Sequence, residues 1–149
     1  MKDPEKVKQG KRNRRMGADF ERRTRKDLEQ KGWFVSKYQN NVEFLYNLSI
    51  LNSQGPVKEG KMIPAKASRF RLSSTGFPDF ISYKKVKFKN ENIYYVDFIE
   101  CKVNGRLSKV EKEKAQWYLD NNVCSKFLIA YKEKINNRVK VKYKEFERK

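Results

Sequence analysis

Apolar and polar positions alternate along the chain with two distinct periods, and the changes of period mark the elements. From Gly17 to Lys31, Phe20, Thr24 and Leu28 recur every four residues, with Met16 just before and Gly32 as a stop. That spacing predicts a helix with one narrow buried face. Trp33, Phe34 and Val35 follow at once as a short strand. Residues 42–51 contain Phe44, Leu45, Tyr46, Leu48 and Ile50 and read as one strand or an irregular strand pair, with Tyr46, Leu48 and Ile50 on one face. Gly55, Pro56 and Gly60 signal turns, and Lys61 to Arg71 reads as a basic link.

Three strand signals come next, at Asp79 to Tyr83, Val86 to Phe88 and Ile93 to Val103, with a turn at Asn90, Glu91 and Asn92. Ser108 and Glu111 form a capping box, so a helix from Lys109 to about Asn121 is expected, covered along Val110, Lys114, Trp117 and Tyr118 with Leu119 at the edge. Phe127 to Tyr131 is an apolar strand. In Arg138 to Phe146, Val139, Val141 and Tyr143 alternate with Arg138, Lys140, Lys142 and Lys144, the pattern of an edge strand with lysines outward. The order helix, strands, helix, strands predicts an α/β sandwich on a mixed sheet.

Charge narrows the partners. Lysine and arginine number 36 against 18 acidic residues, a formal net charge of +18 over 149 residues. That imbalance exceeds what solubility needs and predicts a polyanionic partner. Residues 1–15 carry Lys2, Lys6, Lys8, Lys11, Arg12, Arg14 and Arg15 and read as a flexible basic arm ahead of a single domain over 16–149. No apolar run is long enough to span a bilayer and none follows Met1 as a secretory segment, so a soluble, cytoplasmic or otherwise intracellular protein without membrane attachment is expected. Cys101 and Cys124 read as buried thiols. The chain has no histidine, which excludes histidine zinc sites, histidine general-base nucleases and histidine triads.

The candidate chemistry lies in two segments. Gly76-Phe77-Pro78-Asp79 is followed, 21 residues beyond the aspartate, by Glu100-Cys101-Lys102 at the end of an apolar run. Side chains two apart on a strand share a face, so Glu100 and Lys102 point together and Cys101 points away. On neighbouring strands these segments would join two carboxylates and a lysine. Phosphodiester hydrolysis needs its nonbridging oxygens neutralised, water deprotonated and the leaving group stabilised, and hard divalent cations do most of this. Magnesium prefers oxygen ligands, so Asp79 and Glu100 suit Mg2+, with Mn2+ as a substitute and the Cys101 backbone carbonyl as a further donor. Lys102 is a donor for the scissile phosphate or for the attacking water. The plainer alternative is a turn cap at Asp79 and a cross-strand ion-pair face at Glu100 and Lys102.

Gly76-Phe77-Pro78-Asp79 and Ile99-Glu100-Cys101-Lys102 resemble the two halves of the PD-(D/E)xK nuclease signature, and the chain from about Met16 to Tyr131 resembles the archaeal and viral Holliday-junction resolvases. The resemblance implies a restriction-endonuclease-like mixed central sheet flanked by helices. It also implies cleavage of branched, four-way DNA by a homodimer, with an interface from 42–51 or the exposed side of the Trp117 helix. A viral protein acting in an archaeal or bacterial cell would fit the same family. Its first-helix glutamate matches Glu21, which would complete the metal shell or orient water, and its later glutamine matches Gln116, which would hold Lys102 or a phosphate. A family hydroxyl ahead of the proline-aspartate pair matches Ser73, Ser74 or Thr75. Gly105-Arg106-Leu107-Ser108 is similar to the virus-type replication and repair nucleases of the same superfamily, an alternative that implies flap or nicked substrates.

The interval between Gly32 and Gly76 is longer than in a minimal resolvase core, with an insertion or elaborated loop around 40–75. Backbone contact with DNA is expected from Lys11, Arg12, Arg14, Arg15, Arg22, Arg25, Lys66, Arg69, Arg71 and Arg106. A noncatalytic nucleic-acid-binding protein is the remaining class. Tyr38, Phe44, Tyr46, Phe70, Tyr94 and Tyr95 would be its stacking groups, although these read mostly as core or interface residues because no OB or RRM signature organises them.

Overall fold

The computed structural model describes residues 3–52, 55–65 and 76–148, with the side chains of 47–57 not described. Lys2, Lys66, Arg69, Phe70, Arg71, Ser73, Ser74 and Thr75 therefore lie outside the described residues, as do the side chains of Leu48 and Ile50. The first helix, α1, runs from Pro4 to Gln30. Its buried residues are Phe20, Thr24 and Leu28, the period-four face expected from the sequence, and Thr24 satisfies its hydroxyl by donating to the Phe20 carbonyl at 3.0 Å.

The helix begins far earlier than expected. The basic segment read as an arm through residue 15 is helical from Pro4. Asp3 accepts from the Glu5 amide at 2.9 Å and proline stands in the first turn, a start signal that the charge run obscured. Straight-chain lysines and arginines then continue the helix without losing much rotamer freedom. Gly32, at φ +81°, ends it, and Lys84 donates to the Lys31 carbonyl at 3.2 Å.

Strand β1 is Phe34–Lys37, β4 is Phe80–Phe88 and β5 is Glu91–Cys101; between β1 and β4 lie β2, Asn40–Asn52, and β3, Gly55–Pro64. Helix α2 spans Lys109–Asp120, followed by β6, Lys126–Ile135, and β7, Arg138–Glu145. Five strands form one sheet in the order β1-β4-β5-β6-β7, with β5 and β6 parallel and the other neighbours antiparallel. This is a mixed sheet, and β7 is its edge strand with lysines outward, as its alternation predicts.

Segment α1 covers one face, where Phe20 and Leu28 meet Phe80, Ile99 and Ala130. The opposite face is covered by α2, with Ala115, Tyr118 and Leu119 against Phe77, Phe98, Phe127 and Ile129. Burial from both sides makes Asp97 to Glu100 of β5 continuously buried. The capping box is present, with both Ser108 and Glu111 reciprocating. The covered side of α2 is rotated from the expected one: Val110 is 54% exposed, and the stripe runs instead through Ala115, Tyr118 and Leu119 at i, i+3 and i+4. Among the described residues, no helix is long and apolar enough to cross a membrane.

The segment expected to hold turns at Gly55, Pro56 and Gly60 is a strand, β3, which pairs with β2 in a second, two-stranded sheet. Gly60 is there for close approach, since a Cβ would stand 2.2 Å from the indole nitrogen of Trp117. Val42 of this hairpin joins the α2-side core, and Lys114 donates to Asn41 at 2.8 Å. Val86 to Phe88, expected as a separate strand, continues β4 without a break.

Candidate active site

Strands β4 and β5 are antiparallel, and Phe80 is registered with Ile99. The start of β4 and the end of β5 therefore lie side by side, which puts Asp79 next to Glu100. The two residues are interlocked through the backbone. Asp79 N–H donates to Glu100 Oε2 at 3.1 Å, and Cys101 N–H donates to Asp79 Oδ2 at 2.8 Å. The Asp79 carbonyl in turn accepts from the Tyr38 amide at 3.1 Å. Gly76 lets the preceding turn come this close: a Cβ there would lie 2.2 Å from the Tyr38 carbonyl oxygen and 2.8 Å from that of Asn40. Phe77 N–H donates to the same Asn40 carbonyl, its ring packs on Phe127, and its own carbonyl accepts from the Tyr118 hydroxyl at 2.7 Å.

Lys102 completes the group. Its Nζ stands 2.9 Å from Glu100 Oε1 and 2.6 Å from Glu111 Oε1. Cys101 points to the other face, toward Thr24 of α1, as strand alternation requires. Glu111, read in the sequence only as a capping residue, thus has a second task. It caps α2 through Oε2, which accepts from Ser108 N–H at 2.7 Å, and grips Lys102 through Oε1. Its place in the first turn of the helix after β5 is the signal that would have found it.

The electrostatics follow from burial. Glu100 is pushed up to about 8, first by burial and then by the Asp79 charge, against the pull of Lys102. Asp79 is also raised, mainly by burial, with Glu21 adding repulsion and the Cys101 amide, Lys37 and Lys102 opposing it. Burial works against the Lys102 charge, but the hydrogen bonds to Glu111 and Glu100 outweigh it and raise the lysine. Lys102 is therefore a firmly held ammonium, a donor rather than a base. Burial likewise raises Cys101 and Cys124, both free thiols, so neither is an activated nucleophile.

Glu21 lies on α1, on the side facing Asp79, where the Lys37 ammonium sits between them. Lys37 pairs with Glu21 Oε2 and is 4.0 Å from Asp79 Oδ1. Among the described residues, no three His, Cys, Asp or Glu side chains are arranged to hold a metal ion. Asp79 and Glu100 still have the chemistry for a divalent cation: two hard oxygen donors, buried together, both raised by burial, with the Asp79 charge raising Glu100 further. The described hydrogen bond of Gln116 goes to Asp120 at 2.8 Å, and Gln116 lines a groove with Phe44, Lys58 and Trp117. Lys102 takes its described ion pairs from Glu100 and Glu111.

Of the expected backbone-contacting residues, Lys11, Arg12, Arg14 and Arg15 are exposed along the first half of α1. Arg22 and Arg25 are exposed and paired with Asp19 and Glu29 on the same helix, and Arg106 is exposed in the loop between β5 and α2. Comparison of the chain with protein-family models, curated proteins and solved structures finds no match.

Proposed function

We propose that the protein is a magnesium-dependent DNA endonuclease that hydrolyses phosphodiester bonds in branched DNA, with a restriction-endonuclease-like core. One observation carries this reading: Asp79, Glu100 and Lys102 interlock at adjacent strand ends in a chain of net charge +18. A salt-bridge face alone would not require two carboxylates to be buried against each other at the cost of raised pKa values. In this reading Asp79, Glu100 and the Cys101 carbonyl hold Mg2+, or Mn2+ in its place. Glu21 would join them once Lys37, which now pairs with it, turned to the DNA backbone. The bound cation supplies charge neutralisation and an acidified water. Lys102, fixed by Glu111, donates to a nonbridging phosphate oxygen.

The choice of a four-way junction over a flap rests on the resemblance of the two motifs to resolvases. A two-fold dimer suits paired cuts across a junction, and the exposed Leu45 and Tyr46 of β2 offer apolar surface for a second copy. The test is purified protein with Mg2+ on four-way, flap, nicked and linear DNA, beside Asp79→Ala. Cutting that disappears in Asp79→Ala while DNA affinity persists supports the enzyme, and the preferred substrate separates the two nuclease readings. Binding without cleavage on every substrate overturns it in favour of a binding module.

A further inference from the structure

The sheet face that α2 covers at its centre is open further out. β1 pairs only with Phe80 to Tyr83 of β4, and β6 only with Asp97 to Cys101 of β5, so residues 84–88 and 91–95 project past both neighbours as a two-stranded ribbon. Directly opposed residues of an antiparallel pair share a face, and so do residues two apart. Phe34 with Tyr83, Lys85 with Tyr94, and Lys87 with Asn92 therefore lie on one face, continuous with the α2 side of the sheet. All six are exposed, Phe34 at 62%, Tyr83 at 40% and Tyr94 at 57%, with Lys85, Lys87 and Asn92 beside them. The Phe34 and Tyr83 rings are stacked, with centroids 5.3 Å apart. No carboxylate stands on this face of the ribbon.

From this juxtaposition we infer that the face is a stacking platform for unpaired nucleic-acid bases, with Phe34, Tyr83 and Tyr94 as the rings and Lys85 and Lys87 as the phosphate contacts. Three solvent-facing rings interleaved with cations ask for a partner that offers flat unsaturated surfaces and negative charge together. A single strand offers both, whereas the bases of a duplex are already stacked on one another. An acidic peptide would answer the lysines but leave the rings in water. A second copy docked face to face would set Lys85 and Lys87 against their own equivalents. Tyr94 shares its side of β5 with Glu100, six residues further on, which separates platform and carboxylates by about 20 Å. An unpaired strand held here is thus anchored on the strand that ends at the candidate active site.

Binding by this face needs no hydrolysis, so it is measured on the full chain in EDTA, by fluorescence anisotropy with a labelled oligodeoxythymidine and with a blunt duplex. Tyr94→Ala and Phe34→Ala should each weaken single-strand binding by roughly tenfold. Tyr94→Phe should retain it, and duplex binding should not change. Lys85→Ala and Lys87→Ala should each reduce the salt slope of single-strand binding by about 0.7. Thermal melts of each variant check that the fold is intact, and Tyr94→Ala and Tyr94→Phe carry the test if Phe34→Ala unfolds. Unchanged single-strand affinity in Tyr94→Ala overturns the inference, as does an equal loss for single strand and duplex. A dimer that Tyr94→Ala turns into a monomer, with strand binding intact, would assign the face to a second copy instead.

Discussion

Replacing Glu100 by glutamine removes a charge that burial resists, and its effect on stability is expected to grow with pH. Glu100 is 5% exposed, and burial, then the Asp79 charge, push it from 4.5 up to about 8. The folded value is the higher one, so the folded state binds more protons than the unfolded chain across that window. Stability is fully present below about 4.5 and is lost as pH rises through about 8. One proton of linkage is worth about 1.4 kcal/mol per pH unit, so the ceiling over this window is roughly 5 kcal/mol.

Glutamine does not titrate, and its amide oxygen can still accept from Asp79 N–H, now bonded at 3.1 Å. Above about pH 8 it also forfeits the ion pair that an ionised Glu100 makes with Lys102, which keeps Glu111. That loss is worth about 1–2 kcal/mol. Glu100→Gln should therefore match the parent within about 1 kcal/mol near about pH 5, where Glu100 is itself uncharged in the folded state, and be more stable by roughly 3–4 kcal/mol near about pH 9. Urea denaturation followed by circular dichroism in EDTA, over a series of buffers, gives both curves. Excess Mg2+ at the alkaline end should stabilise the parent and not the variant, because the cation takes the place of the proton. Curves that stay parallel across the whole range would refute a raised Glu100.

Lys102→Met should lower turnover in Mg2+ by about 100-fold or more while DNA affinity holds, since the proposed role of the ammonium is to donate to developing charge. Normal turnover would end its catalytic role. Glu111→Gln, whose single amide oxygen can serve Ser108 or Lys102 but not both, should cost about tenfold in kcat on the same substrate, with a thermal melt to separate any loss of the helix cap. Gly76→Ala drives a Cβ into the Tyr38 and Asn40 carbonyls and should destabilise by roughly 3 kcal/mol; an unmoved urea midpoint would contradict that crowding. At Gly17, half-buried within α1, an added Cβ meets nothing within 4 Å. Gly17→Ala should therefore stabilise by about 0.5–1 kcal/mol, and a lowered melting temperature would count against the continuous helix.

Local patterns in the chain were enough to reveal much of this protein. The period-four face of Phe20, Thr24 and Leu28, the Ser108–Glu111 capping box and the alternating edge strand β7 all depend on neighbours a few residues away. So does the separation of Glu100 and Lys102 from Cys101, which follows from strand alternation alone. The early start of α1 was also written locally, in Asp3 and Pro4, but a run of like charges hid it. Other features depend on contacts between distant segments. Gly60 resembles a turn until Trp117 is seen against it, and the covered side of α2 is chosen by the sheet rather than by Val110. Lys37 has no motif of its own, and the capping box that marks Glu111 does not by itself show that it holds Lys102. The two residues join Glu21, Asp79 and Lys102 because β1 pairs with β4 and α2 starts just beyond β5. The types and spacing of the residues determined which groups were available for phosphate chemistry. Only the tertiary structure decided which of them share a dielectric, because burial and charge coupling act through space and leave no periodicity in the chain.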